Sequence, residues 1–317
     1  MLSHYPAKED FIPVPGLKKM IYGNPDVKKV TINFRDLDKL NISRSNGRNE
    51  TRRIPKILFR TSAVKREELS IELQRIMVDC KEQNRNYQQV YFDDEDINDF
   101  ISNEYPQYLK AYRSLVPGAY KADLFRLLVL YKYGGIYNDI GHRFLVPIEQ
   151  ILDESDEFIA ATELNNHQSF AHAIYNGVLA AYRGHPIVKF MIDDIMYTIE
   201  HCNYMADPLD VTGPAAMGRA LNKFMRGWEP GYTGTAPDWD RMPIRRGSYR
   251  QKGYLLKFLQ HDPRKEKIFE GAREVIRTKF PNYYGQVYRD RGARYDLLWR
   301  AKRIFAEGTE CKEEEKK

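Results

Sequence analysis

Residues 119–148 read AYKADLFRLLVLYKYGGIYNDIGHRFLVPI, and the fold follows from this stretch. A helix is expected from Pro117 to Tyr133, since proline suits a first turn and a glycine pair ends the run. Ala122, Leu124, Phe125, Leu127, Leu128, Val129 and Leu130 leave it apolar on nearly every face, so it belongs inside the molecule. Gly134 and Gly135 let the chain turn tightly into Ile136–Ile140, a short strand that breaks at Gly141.

Two charges interrupt the greasy helix. Asp123 and Arg126 are three positions apart and share one side of it. A buried charge is costly unless it is paired or meets a ligand. Both readings stand at this point: the two pair with each other or cap a loop, or they face a bound molecule. Asp139 adds a carboxylate at the end of the following strand, where open α/β sheets bind ligands. There it can hold a divalent cation, and a cation can neutralise a diphosphate.

Outward from this centre, strands and helices alternate. Strands are expected from Ile54 in IPKILF, at Gln89–Phe92 and at Phe158–Thr162. Helices are expected at Lys65–Gln83, Pro186–Tyr197 and Pro214–Met225, and Phe170–Tyr182 fits either state. The alternation predicts an α/β fold with a mainly parallel sheet flanked by helices. Residues 1–53 read as an extension, 54–305 as the catalytic domain, and 306–317 as a charged, disordered tail.

Composition narrows the function classes. An apolar share of 42% supports a sizeable core. The net charge of +6 suits a phosphorylated ligand and does not point to nucleic acid, for which no aromatic–basic reading motif is present. Basic clusters occur at Arg241, Arg245, Arg246 and Arg250, and at Arg289, Arg291 and Arg294; a solvated surface is the first reading of both. Cys80, Cys202 and Cys311 are too scattered for a disulfide framework or a zinc site. With no apolar leader or membrane-length stretch, the expectation is a cytoplasmic protein in a reducing compartment.

The residues of the central stretch resemble a known family. Ala122-Asp123-Leu124-Phe125-Arg126, then Leu130-Tyr131, Tyr133-Gly134-Gly135-Ile136-Tyr137 and Asp139, are similar to the DXD-containing sugar-binding region of family 32 glycosyltransferases. Ile54-Pro55-Lys56-Ile57, Gly184-His185-Pro186 and Thr212-Gly213-Pro214 match further recurring elements in the right order. The resemblance implies a GT-A fold and retaining transfer of a hexose from a nucleoside diphosphate sugar to a carbohydrate hydroxyl. It also implies residue roles. Asp123 and Arg126 would hold the donor sugar and its phosphate side, Tyr137 and Asn138 the ribose or diphosphate, and Phe59, Arg60 and Thr61 the base. Thr212 and Gly213 would shape the sugar pocket, and Asp139 would be the first acid of the motif.

Gly141 departs from the family by standing where a second acid is usual. A positive φ there would swing His142 inward, so Asp139 and His142 are the candidate ligands for Mn²⁺ or Mg²⁺. His142 as a supporting histidine, and neutralisation of the leaving group by Arg126 and other basic residues, are the alternatives. Four further features are read in passing. Asp193-Asp194 is a solvated pair on a helix, and His261-Asp262 lies in a polar loop. Phe280–Gln286 offers a loop to close over the donor, and Tyr295 with Trp299 belongs to the core.

Overall fold

A computed structural model describes residues 52–163, 173–231, 247–281, 283 and 294–313. All of them fall in one compact unit, 34–317; the unit 1–33, most of the expected extension, and the tail 314–317 lie outside the described residues. So do Arg241, Arg245, Arg246, Arg289 and Arg291, and most of the Phe280–Gln286 loop.

The chain opens with β1 (Ile57–Thr61), α1 (Ile71–Gln83), β2 (Gln88–Phe92) and α2 (Asp94–Glu104). Ser70 caps α1, accepting from the Leu73 amide, so the expected Lys65 start shifts to Ile71 after a short turn at Arg66–Glu68. Asp93 and Asp96 form a reciprocal capping box that starts α2. Then come α3 (Leu109–Ser114), α4 (Gly118–Tyr133) and β3 (Gly135–Asn138). Strands β4 (Arg143–Phe144), β5 (Phe158–Glu163) and β6 (Ile174–Ala181) follow, so the ambiguous stretch is a strand. Helices α5 (Pro186–Glu200) and α6 (Pro214–Arg226) precede β7 (Gly247–Gln251), β8 (Tyr254–Asp262), β9 (Lys267–Glu270) and β10 (Arg273–Arg277). Helix α7 (Tyr295–Arg300) ends the described elements.

One sheet joins the strands in the order β2-β1-β3-β6-β5-β8-β9-β10-β4, with β7 added on β8. The architecture is α/β with flanking helices, as expected, but the sheet is mixed rather than mainly parallel. β1 runs parallel to β2 and β3, and β5 parallel to β8; the other pairs are antiparallel. The reason is local: β6 follows β5 directly and returns beside β3, which reverses its direction against both neighbours.

Helix α4 is buried as its composition requires, with Leu124, Phe125, Leu127, Leu128, Val129 and Leu130 all at 0% exposure. Phe125 packs on Phe92 and Phe100, joining the helix to β2 and α2. Gly134 and Gly135 take φ of +67° and +106°. A side chain on Gly135 would also lie 2.7 Å from the Ile57 carbonyl of β1, so this turn admits only glycine without strain. The helix thus hands the chain into β3 beside β1, and Asp139 emerges at the parallel strands' carboxyl ends.

The cysteine reading is corrected. Cys202, at the end of α5, is bonded to Cys311, with Cα atoms 5.5 Å apart across 109 residues of sequence. Lys312 also donates its amide to the Glu200 carbonyl at 2.8 Å, and Val116 donates to Ile304 at 2.8 Å. The start of the supposed tail is therefore docked, because a covalent tie and backbone hydrogen bonds outweigh its charge. Cys80 is buried and free. Among the described residues no helix is long and apolar enough to cross a membrane.

Candidate functional site

Asp123 and Arg126 face inward from α4 and meet each other: Nη2 of Arg126 lies 2.9 Å from Oδ1 of Asp123. The pair does more than neutralise itself. Asn176 Nδ2 of β6 donates to Asp123 Oδ1 at 2.7 Å, and Thr212 Oγ1 donates to Oδ2 at 2.9 Å. One carboxylate thus ties α4, β6 and the entry to α6 together. Burial pushes its carboxyl up to about 7, working against Arg126 and the two neutral donors, which favour the ionised form.

Arg126 spans the site. Its Nη1 donates to the Asn176 carbonyl at 2.5 Å and lies 3.5 Å from Asp139 Oδ1, while Nε donates to the Ala122 carbonyl at 3.2 Å. The guanidinium also lies 4.5 Å from the centre of the Tyr137 ring. Burial works against its charge, but Tyr137, Asp123 and Asp139 outweigh that and raise its pKa.

Asp139 stands just past β3. Tyr137 donates its hydroxyl to Oδ1 at 3.0 Å, and the Asp139 amide donates to the Gly177 carbonyl at 2.8 Å. Its side chain is 31% exposed, against 9% for Asp123 and 6% for Arg126. Of the three, Asp139 is the group that faces solvent. A Cβ on Gly177 would lie 2.8 Å from its Oδ2, so glycine on β6 makes room for the carboxylate.

His142 is enclosed, at 1% exposure. Its Nδ1 pairs with Asn138 Oδ1 at 2.8 Å and its Nε2 with the Tyr175 hydroxyl at 2.8 Å. With the Asn138 amide oxygen facing the ring, the matching tautomer carries its proton on Nδ1 and accepts from the Tyr175 hydroxyl at Nε2. Burial lowers its pKa to about 3, with Arg60 adding to the effect, so the ring is neutral. Nε2 is 4.0 Å from Asp139 Oδ2. The expected positive φ at Gly141 is absent; glycine is needed there because a Cβ would overlap the Tyr283 ring.

The residues expected around a base are sealed. Phe59 is at 0% exposure, packed on Phe92 and Tyr133, and Arg60 is at 1%. Thr61, at 5%, donates to the Phe92 carbonyl at 2.8 Å. A Cβ on Gly213 would lie 3.6 Å from Asp123 Oδ2, which puts this glycine beside the carboxylate.

Several neighbours escaped sequence reasoning. Asn176 and Tyr175 lie in the stretch whose periodicity was ambiguous. His261 is on β8, not in a polar loop, and stacks on Tyr175 with ring centres 3.8 Å apart; its Nδ1 is 3.6 Å from Glu163 Oε1. Asp194 is buried at 1%, not solvated, and binds Lys223 at 2.5 Å and Arg219 at 3.3 Å. Arg219 in turn donates to the Asp210 carbonyl at 2.9 Å, bracing the segment that carries Thr212. Asp193 alone is the surface member of that pair, bonded to Lys189 at 2.6 Å. Tyr295 and Trp299 pack on the core, as expected.

Among the described residues no group of three or more His, Cys, Asp or Glu side chains is placed to hold a metal ion. Asp139 brings one carboxylate, and both ring nitrogens of His142 have protein partners. That set, among the described residues, fits a hard cation that arrives on a diphosphate, which commonly uses one or two carboxylates plus phosphate and water.

Comparison with known proteins agrees with the motifs. Residues 70–158 match the family of glycosyltransferase sugar-binding regions containing a DXD motif. The chain is 30% identical over 147 residues to inositol phosphoceramide mannosyltransferase 3 of Schizosaccharomyces pombe, covering 46% of this chain and 38% of that protein. It is 27% identical over 143 residues to uncharacterized glycosyltransferase L373 of Acanthamoeba polyphaga mimivirus, covering 45% of this chain and 55% of that protein. The chain thus spans about two fifths to just over half of these relatives. A solved structure of the PaToxG glycosyltransferase superposes with a TM-score of 0.42 at 16% identity, over 55% of this chain and 70% of that one. The family match includes Asp123, Arg126, Asp139 and His142, and stops short of Arg60, Tyr175 and Thr212.

Proposed function

We propose, on the premise that this chain carries the sugar-binding region of the DXD-containing glycosyltransferases, that it transfers a hexose from a nucleoside diphosphate sugar to a carbohydrate hydroxyl with retention. The observation that carries the reading is Arg126 lying between a buried carboxylate, Asp123, and a solvent-facing one, Asp139. That arrangement supports a sugar held by polar groups with its diphosphate toward Asp139 and Arg126.

The chemical demand is to draw electrons onto the departing diphosphate. Arg126 supplies fixed positive charge, and Tyr137 orients Asp139 through its hydroxyl. A Mn²⁺ or Mg²⁺ ion arriving with the donor would be held by Asp139 and would add charge neutralisation at the phosphates. His142 is placed to hold Asn138 and Tyr175 in register beside Asp139. The acceptor oxygen attacks from the face the leaving group vacates, and a phosphate oxygen takes its proton.

The name of the S. pombe relative makes a nucleoside diphosphate mannose the first donor to try, with an inositol phosphoceramide among the acceptors. The Cys202–Cys311 bond favours a compartment in which disulfides persist, in place of the reducing one expected from cysteine spacing. The test is Asp139→Ala assayed against a panel of nucleotide sugars: loss of transfer by at least a hundredfold is expected, and near-native transfer refutes the assignment.

Gly141 favours a second reading, a nucleotide-sugar or glycan-binding protein without turnover, because it removes an acid from the motif. Release of nucleoside diphosphate, measured with and without Mn²⁺, separates the two.

A further inference from the structure

Among the described residues Arg60 is the largest fully buried side chain, at 1% exposure, and it lies on β1 outside the family match. Its Nη1 donates to the Ile140 carbonyl at 3.3 Å and its Nη2 to the His142 carbonyl at 3.2 Å. The guanidinium therefore grips the back of the turn whose front carries Asp139. Nε has no hydrogen-bond partner, and no acid pairs with Arg60 among the described residues. Its charge bears on the His142 ring and on the buried Cys80 thiol.

A guanidinium shut away from water and lacking a carboxylate is an expensive thing for a fold to keep. Two carbonyl oxygens answer its hydrogen-bonding needs only in part, and they do not answer its charge. Charge at the site supplies the missing reason. With Asp123 ionised, on the alkaline side of about 7, Asp123 and Asp139 are acids, Arg126 is a base and His142 is neutral, so without Arg60 those four groups would present an excess of negative charge to any arriving phosphate. With Arg60 the count is even. Gly141, where a second acid is usual, moves the site further in the same direction.

We propose that Arg60 is a positioning residue and buried counter-charge of the donor site: it holds the 139–142 turn from behind and makes the site neutral enough to accept a nucleoside diphosphate without relying on a metal ion. This rests on the donor-site reading above and adds to it a residue that touches neither sugar nor phosphate. Arg60 acts through the turn and through its field, which falls slowly with distance where water is excluded.

The test uses the full chain and titrates GDP and UDP by calorimetry, in EDTA and again with Mn²⁺. Two variants separate charge from packing. Arg60→Met keeps the length of the side chain and removes its charge; Arg60→Gln keeps one amide donor for the carbonyls and is also neutral. Removing an unpaired buried charge relieves its desolvation cost, which offsets the loss of one donor to each of two carbonyls, so melting within about 5 °C of the parent is expected. In EDTA both variants bind nucleoside diphosphate at least tenfold more weakly than the parent, and Mn²⁺ narrows the gap. A purely structural side chain would lower the melting temperature and leave the affinity of the folded protein unchanged.

Variants that bind within twofold of the parent in EDTA overturn this inference and leave the donor reading intact. If neither variant folds, Arg60 belongs to the frame of the fold and the inference is overturned. A parent protein that binds neither GDP nor UDP under either condition sinks the donor reading, and this inference with it.

Discussion

Lowering the pH across neutrality should switch the site off while strengthening the fold, and Asp123 is the reason. In the folded chain its carboxyl is raised from 3.8 to about 7 by burial. The sign follows from linkage. A carboxyl with a raised folded value takes up its proton in the folded state first, so its contribution to stability is present at low pH and is lost as pH rises through about 7. For a shift to about 7, the contribution is close to zero near pH 8 and about 1 kcal/mol near pH 6. Function runs the other way. Ionised, Asp123 accepts from Arg126, Asn176 and Thr212 together; protonated, it must donate one of those bonds and loses its hold on Arg126.

The assay is paired. Donor turnover by the parent is followed from about pH 8 down to about pH 5.5, and urea unfolding of the parent and of Asp123→Asn is measured over the same range. Turnover should fall on the acid side of about 7, approaching tenfold per unit, as one proton is taken up. Asp123→Asn should be slow throughout, with no acid limb. The stability difference between parent and variant should move in favour of the parent by about 1 kcal/mol between pH 8 and pH 6, since only the parent has this group to titrate. Other groups titrate in both proteins and cancel in the comparison. A parent profile flat through this range, or a stability difference moving the opposite way, refutes the reasoning.

Three further outcomes are expected. Gly177→Ala forces a methyl to within 2.8 Å of both Asp139 Oδ2 and the Tyr175 ring, so turnover should drop at least tenfold while urea unfolding shows a cost of about 1–3 kcal/mol. Unchanged kinetics would mean that this wall of the site yields. The Cys202→Ser/Cys311→Ser double variant should lose about 2–5 kcal/mol in unfolding, and the unreduced parent, once denatured, should titrate a single thiol, Cys80. Three thiols in that titration would show the bond is absent. Mn²⁺ alone should bind the parent weakly, in the millimolar range, and at least tenfold more tightly with GDP or UDP, because the described residues bring so few acids to one place. Tight binding of Mn²⁺ without nucleotide would contradict that reading.

Local order was legible because it depends on neighbours in sequence. The apolar run after Pro117 and the pair Gly134-Gly135 forecast a buried helix turning into a strand, and the structure has both. The i, i+3 spacing likewise brought Asp123 and Arg126 onto one side, where they touch. The errors share a different cause. Asp194 beside Asp193 looks like surface charge until α5 and α6 pack, and only then is one acid sealed against Arg219 and Lys223. His261 has polar neighbours in sequence, yet the pairing of β8 with β5 lays it against Tyr175. Gly141 in sequence suggests backbone freedom, whereas what crowds a side chain there is the ring of Tyr283, far along the chain.

By itself the amino-acid order settled the helices and strands around 117–140, the placing of opposite charges on one side of an apolar helix, and the resemblance carried by those letters. Periodicity and glycine placement act over a few residues, so they can be read without coordinates. Tertiary packing decided the mixed direction of the sheet, the Cys202–Cys311 tie, the enclosure of His142 and the place of Arg60 behind the Asp139 turn. Those features are meetings between residues scores of positions apart, and their energies depend on burial and distance, quantities that exist only once the chain has closed on itself.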